Sequence, residues 1–150
     1  MIHRFLGDKI LQWAEQYPVI TITGPRQSGK TTLSKAVFPD KPYVSLEDFD
    51  HRDFARHDPR GFLARHPEGM IIDEIQNAPE LVSYIQTDVD SVDQPGRFIL
   101  TGSRQFEMMT SVSQSLAGRT AIARLMPFSL SELFHARPER SLDEILLTGF

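Results

Sequence analysis

The run Gly24-Pro25-Arg26-Gln27-Ser28-Gly29-Lys30-Thr31, followed by Thr32, restricts this chain more than any other feature. It fills every fixed position of the pattern G-x-x-x-x-G-K-[ST]. A polyphosphate packs several negative charges close together, and a tightly turned backbone can aim consecutive N–H groups at them. Gly24 and Gly29 permit the turn and the close approach. Lys30 adds a mobile positive charge for the β- and γ-phosphates, and Thr31 offers a hydroxyl to Mg2+. Such a loop must follow a strand and open a helix. "VITIT" (19–23), β-branched and bounded by Pro18 and Gly24, supplies the strand, and 30–38, closed by Pro39, supplies the helix. A chance match in a chain of this kind is on the order of one in a few hundred, so nucleotide binding is the leading expectation.

The rest of the chain alternates strand and helix signals. Phe5, Leu6, Ile10, Trp13 and Ala14 recur at helical spacing over 5–16. "YVSLE" (43–47), "MIID" (70–73), "RFILTG" (97–102) and "TAIARL" (120–125) are further strand candidates. Pro79 suits a first helical turn ahead of Leu81, Val82, Ile85 and Val89, and Phe106, Met109, Val112 and Leu116 form a second stripe. Ser129-x-x-Glu132 and Ser141-x-x-Glu144 are capping-box patterns. The alternation predicts an α/β three-layer sandwich: a mainly parallel sheet of about five strands with helices on both faces. The 150 residues support one domain over 1–150. The closing "LDEILLTGF" ends on an apolar residue without a polar tail, so the chain is expected to continue past Phe150.

Composition narrows the function classes. The absence of cysteine excludes disulfides, thiol catalysis and cysteine-ligated zinc. No apolar run approaches the roughly 20 residues of a membrane span, and Asp8, Lys9 and Gln12 interrupt the N-terminal stretch as a signal peptide would not allow. A soluble, cytoplasmic protein is the expectation. The net charge of −4 offers no general attraction to nucleic acid or anionic membrane. Segment 51–66 nevertheless carries Arg52, Arg56, Arg60 and Arg65. It reads either as a phosphate-backbone surface or, since Asp53 and Asp58 interleave it and Phe54, Phe62 and Leu63 suit a core, as a solvated helix face. His51, His57 and His66 share no metal-ligand spacing.

Hydrolysis needs a metal-holding group and a group that orients and deprotonates water. "GMIIDEIQ" (69–76) offers both: an apolar strand ends in Asp73, a ligand for Mg2+, and Glu74 follows as the base. An isolated acidic turn is the plainer account of the two acids, and the strand ahead of them argues against it. Gln76 suits either water orientation or a helix start. The strand "YVSLE" between the loop and "IIDE" leaves room for another strand beside the loop strand. "RFILTGS" (97–103) is the candidate, ending in Thr101 and Ser103, hydroxyls suited to positioning water or, alternatively, merely turning the chain. That order belongs to the P-loop NTPases with a catalytic glutamate, the AAA and RecA-like branch.

Taken in order, "GPRQSGKTTL", "YVSLED", "DP…FL", "IIDEIQNAPEL", "FILTGSRQF", "SLAGRTA" and "LMPFSLSEL" resemble one family over residues 2–150. It is the N-terminal ATPase domain of prokaryotic AAA-type ATP-binding proteins that carry a C-terminal domain of unknown function. The resemblance implies an AAA-like P-loop fold, ATP as the nucleotide, and a further domain after Phe150. Ser28 stands where a small apolar residue is common in the family. In the family pattern "SLAGR" follows the sensor strand, which makes Arg119 a candidate arginine finger or phosphate sensor, in cis or from a neighbouring subunit of a homo-oligomer. The alternative for Arg119 is a structural pairing with an acid at a helix end; Arg104 and Arg26 are further candidates. The expected activity is Mg-dependent ATP hydrolysis coupled to a partner or switch. A nucleic-acid-associated module with regulatory ATP and a P-loop kinase are the alternatives.

Overall fold

Each of five short apolar runs is entered through a proline or glycine one or two residues upstream: Pro18, Pro42, Gly69, Gly96 and Gly118. These breakers stop the preceding element, and the β-branched residues that follow extend. The computed structural model describes residues 4–103, 110–129 and 131–132. In it the runs are the strands β1 (Val19–Thr23), β2 (Tyr43–Ser45), β3 (Met70–Asp73), β4 (Phe98–Gly102) and β5 (Thr120–Arg124). They form one sheet in the order β2-β3-β4-β1-β5, and every pairing is parallel. β4 thus lies between the loop strand β1 and the acid strand β3, the strand order expected from the sequence.

Strand alternation divides the core into two layers. Ile20, Ile22, Ile71, Ile99, Ala121 and Ala123 face α1 (Phe5–Ala14) and α2 (Lys30–Val37). Val19, Val44, Met70, Ile72, Phe98 and Leu100 face the other way, under α3 (Phe49–His57), α4 (Pro59–Ala64) and α5 (Leu81–Ser91). Leu116, just beyond α6 (Thr110–Ser115), joins that second layer. β1, β3 and β4 are buried at every position, which is why their sequences are unbroken apolar runs rather than alternating ones. Each isoleucine removed from water contributes about 1.5–3 kcal/mol.

Several boundaries differ from expectation. α1 stops at Ala14 and β2 at Ser45. Pro79 is not in the first turn of α5; it sits in the turn before it, with its carbonyl accepting from the Val82 N–H at 3.2 Å. The intervening residues form a 3-10 turn, Ile75–Asn77. The Ser129–Glu132 box is formed reciprocally: the Ser129 N–H donates to Glu132 Oε2 at 2.9 Å and the Glu132 N–H to Ser129 Oγ at 3.2 Å. Arg104, Phe106, Met109, the Val112 side chain, the Ser141–Glu144 box and the final predicted helix lie outside the described residues. No helix among the described residues is long and apolar enough to cross a membrane.

Candidate functional site

Leaving β1 at Thr23, the chain makes no regular element until α2 begins at Lys30. Gly24 has φ +152°, and a Cβ there would lie 2.1 Å from the Leu125 carbonyl oxygen, so no side chain fits. Gly29 is different: φ is +89° but open space surrounds it, so backbone conformation alone calls for glycine. Gln27 is also left-handed, at φ 61°. α2 points its first, internally unbonded N–H groups into the loop, at the positive end of its dipole. Lys30, only 5% exposed, folds back so that Nζ donates to the Gly24 and Pro25 carbonyls at 3.1 and 2.8 Å. Among the described residues the buried Ser28 hydroxyl has no hydrogen-bond partner. Arg26 and Thr32 are exposed at the rim.

Register brings the acids to this loop. Because side chains alternate, Asp73 shares the α2 face with Ile71, and Thr101 shares it with Ile99. Asp73 is 5% exposed. Thr31 Oγ1 donates to it, lying 3.1 Å from Oδ1 and 3.0 Å from Oδ2. The Tyr43 hydroxyl donates to Oδ2 at 2.7 Å, and Thr101 donates to Oδ1. Three neutral hydroxyls therefore surround a buried carboxylate. Burial, reinforced by the bond to Asp73, pushes the Tyr43 phenol up to about 12.

Glu74 follows in a left-handed conformation, φ 56° and ψ 52°, a backbone state that favours glycine and costs about 1–2 kcal/mol elsewhere. Its N–H donates to Thr101 Oγ1 at 3.2 Å. Its carboxylate accepts from Gln76 Nε2, which also donates to Ser103 Oγ at 3.2 Å. Gln76 Oε1 is buried without a partner among the described residues. Beside the loop, a cavity of about 380 Å³ opens between α1 and α2, lined by Asp8, Leu11, Gly29, Thr32, Val37 and Phe128 among others. Arg4 closes its rim, its guanidinium 4.2 Å from the Phe128 ring centroid and its Nε 3.1 Å from Glu132.

Gly24 to Thr32, Asp73, Glu74, Thr101 and Ser103 therefore meet at the carboxyl edge of the sheet. The Thr101 hydroxyl is committed to the two acids, donating to Asp73 and accepting from Glu74, rather than standing open toward water. Arg119 does not join them. It immediately precedes β5, its carbonyl accepts from the N–H of Val19 at the start of β1 (3.2 Å), and a strand's length of about 15 Å separates that edge from the loop. It is paired with Asp90 at the end of α5, through bonds of 2.6 and 2.9 Å, which is the structural alternative and corrects any cis role at this site. The arginines of 51–66 lie against partners inside the domain: Arg52 against Phe49, Arg56 against Glu80, Arg60 against Tyr84 and Arg65 against Phe54. Sequence reading missed Tyr43 and the cavity. Tyr43 is visible only once β2 is paired with β3, and the cavity only once α1 is laid beside α2.

A magnesium-bound polyphosphate fits these residues on three observations: a buried carboxylate with only neutral partners among the described residues, a buried loop hydroxyl with no hydrogen-bond partner among them, and left-handed turns at Gln27 and Gly29. Thr31 and Asp73 would hold the metal, with most of its ligands left to phosphate and water, as Mg2+ prefers. A parallel sheet in this order, with this loop leading into α2 and acids ending β3, defines a P-loop NTPase fold. The chain matches the family model described as an AAA domain over residues 16–134, and it belongs to that family. It is 33% identical over 124 residues to an uncharacterized protein of Mycobacterium tuberculosis and to another of Mycobacterium bovis, covering 82% of this chain but 28% of each relative. The chain thus spans little more than a quarter of the curated relatives it matches. Among solved structures, domain III of the Thermotoga maritima replication initiation protein DnaA superposes with a TM-score of 0.58 at 16% identity, covering 97% of this chain and 76% of that one. AMPPCP-bound DnaA from Aquifex aeolicus gives 0.57 at 15% (97% and 50%), and a Walker-type ATPase of Pyrococcus abyssi gives 0.54 at 17% (96% and 61%). These likenesses establish the shared fold.

Proposed function

We propose that the chain binds ATP with Mg2+ at the carboxyl edge of the sheet and hydrolyses it, turnover being coupled to a partner or switch. The observation that carries this reading is the convergence of Lys30, Thr31, Asp73 and Glu74 on one loop-lined point. On binding, Lys30 exchanges two backbone carbonyls for phosphate oxygens, and the amides opening α2 receive the charge. Magnesium held by Thr31 and Asp73 would supply positive charge to the phosphate oxygens. Glu74 takes the proton from the attacking water as the bond from the γ-phosphorus to the bridging oxygen of the leaving ADP breaks. Gln76 and Ser103 orient the Glu74 carboxylate and the water beside it. The cavity between α1 and α2 seats the adenine, with apolar walls for its faces. Arg119, at the other edge, reaches a γ-phosphate only on a second copy of the chain, so any finger role for it requires assembly.

ATP labelled at the γ-phosphate tests the reaction. Glu74→Gln is expected to keep ATP affinity and lose release of labelled phosphate, and Lys30→Ala to weaken both. Release at the unmodified rate by Glu74→Gln would overturn the base assignment, and transfer of label to an acceptor would make the chain a kinase.

A further inference from the structure

Asp73 receives its three hydroxyls from three directions. Thr31 reaches it from α2, Thr101 from β4 on one side of β3, and Tyr43 from β2 on the other. In the β2–β3 register Tyr43 stands opposite Ile71 and Ser45 opposite Asp73, so the phenol reaches forward along the sheet to Oδ2. Its ring is held on the other side by Lys35, whose Nζ lies 3.8 Å from the ring centroid. Thr31 and Lys35 are one helical turn apart on α2. A single helix face therefore sets both the hydroxyl beside Asp73 and the cation that packs on Tyr43.

The three donors have different second duties. A threonine hydroxyl that serves a metal does so through an oxygen lone pair while its proton can stay on the carboxylate, so Thr31 is then shared between the metal and Asp73. Thr101 Oγ1 also accepts from the Glu74 N–H and is shared with the other acid. Tyr43 has its phenol on Asp73, within reach of the Thr31 and Ser45 hydroxyls, and its ring against Lys35. We propose that Tyr43 is a positioning residue for the divalent cation, its phenol keeping the Asp73 carboxylate turned toward Thr31 when Thr31 gives its oxygen to the metal. This deepens the reading above and rests on it.

The test is titration of the unsubstituted chain and of Tyr43→Phe with a non-hydrolysable ATP analogue, in EDTA and across a Mg2+ series. Phenylalanine keeps the ring and its packing and removes only the hydroxyl. The expected result is equal affinity in EDTA and a roughly tenfold rise in the Mg2+ concentration needed for the metal-dependent gain. Mn2+ bound in the analogue complex, followed by its paramagnetic resonance signal, should weaken in parallel. An unchanged Mg2+ series, or an equal loss with and without metal as a packing role would give, overturns the inference alone. If the unsubstituted chain binds the analogue but gains nothing from Mg2+, the metal assignment of Asp73 falls, and the inference with it.

Discussion

Arg97 and Lys30 are almost equally buried, at 6% and 5% exposure, and occupy opposite edges of the same sheet. Arg97 is closed on an opposite charge: Nε and Nη2 donate to Asp88 at 2.5 and 3.3 Å, and Nη1 to the Pro67 carbonyl and Gln94 Oε1 at 2.6 and 2.8 Å. Among the described residues Lys30 has only two carbonyls of its own loop. The acids repeat the contrast. Asp88 and Asp90 hold arginines at the amino edge, whereas Asp73 is held by hydroxyls and Glu74 by an amide. Charge buried with its counter-charge is finished structure. Charge buried among neutral partners is a standing cost to the fold, and a ligand carrying both phosphate and metal supplies the missing counter-charges together. The same sheet thus has a sealed edge and a receptive one.

Substitutions at the two edges should separate these roles. Glu74→Gln is expected to lower kcat by about 10²–10⁴-fold, the range for loss of a positioned base, with thermal stability unchanged. Lys30→Ala should weaken nucleotide affinity by about two orders of magnitude, as loss of one partner from a desolvated charge pair does; calorimetric titration reads it. At the sealed edge, Asp88→Ala leaves a buried guanidinium unpaired and should cost about 3 kcal/mol, seen as a fall of roughly 10 °C in Tm. Nucleotide affinity of the folded fraction should not move. An affinity loss in Asp88→Ala without destabilisation would break the contrast.

Arg119→Ala removes an exposed pair, and its Tm should be indistinguishable from that of the unsubstituted chain. A drop in kcat that appears only at protein concentrations where copies associate would give Arg119 its trans role. The narrowest effect is a pH dependence at Glu132. Burial pushes its carboxyl up, but the Ser129 bonds and Arg4 outweigh this and hold it below its ordinary value of 4.5. A carboxyl depressed in the fold stabilises above its ordinary value and loses that contribution as pH falls through the depressed one. Glu132→Gln should therefore flatten the decline in stability below about pH 4.5 in acid titrations followed by circular dichroism.

Much of this architecture was legible because local signals and tertiary fate agree. β1 and β3 run over 19–23 and 70–73 as read, since apolar β-branched residues sit between hard breakers. The spacing of Gly24, Gly29 and Lys30 prescribed the loop, and the intervening "YVSLE" prescribed the strand order. Arg119 was harder, because nearness in sequence to the strand bearing Thr101 says nothing about which edge a residue occupies. A signal existed: in a parallel sheet every strand begins at the same edge, so a residue just before β5 lies with Val19, away from the loop. Tyr43 and the cavity between α1 and α2 carry no such signal. One depends on a register between strands separated by two helices, the other on how closely α1 lies against α2.

The most direct test is a single-turnover experiment with γ-labelled ATP and Mg2+, run side by side on the unsubstituted chain and Glu74→Gln at equal occupancy. The receptive edge predicts label released as free phosphate by the first and retained as bound ATP by the second. Equal release from both, or no ATP bound by either, would contradict it.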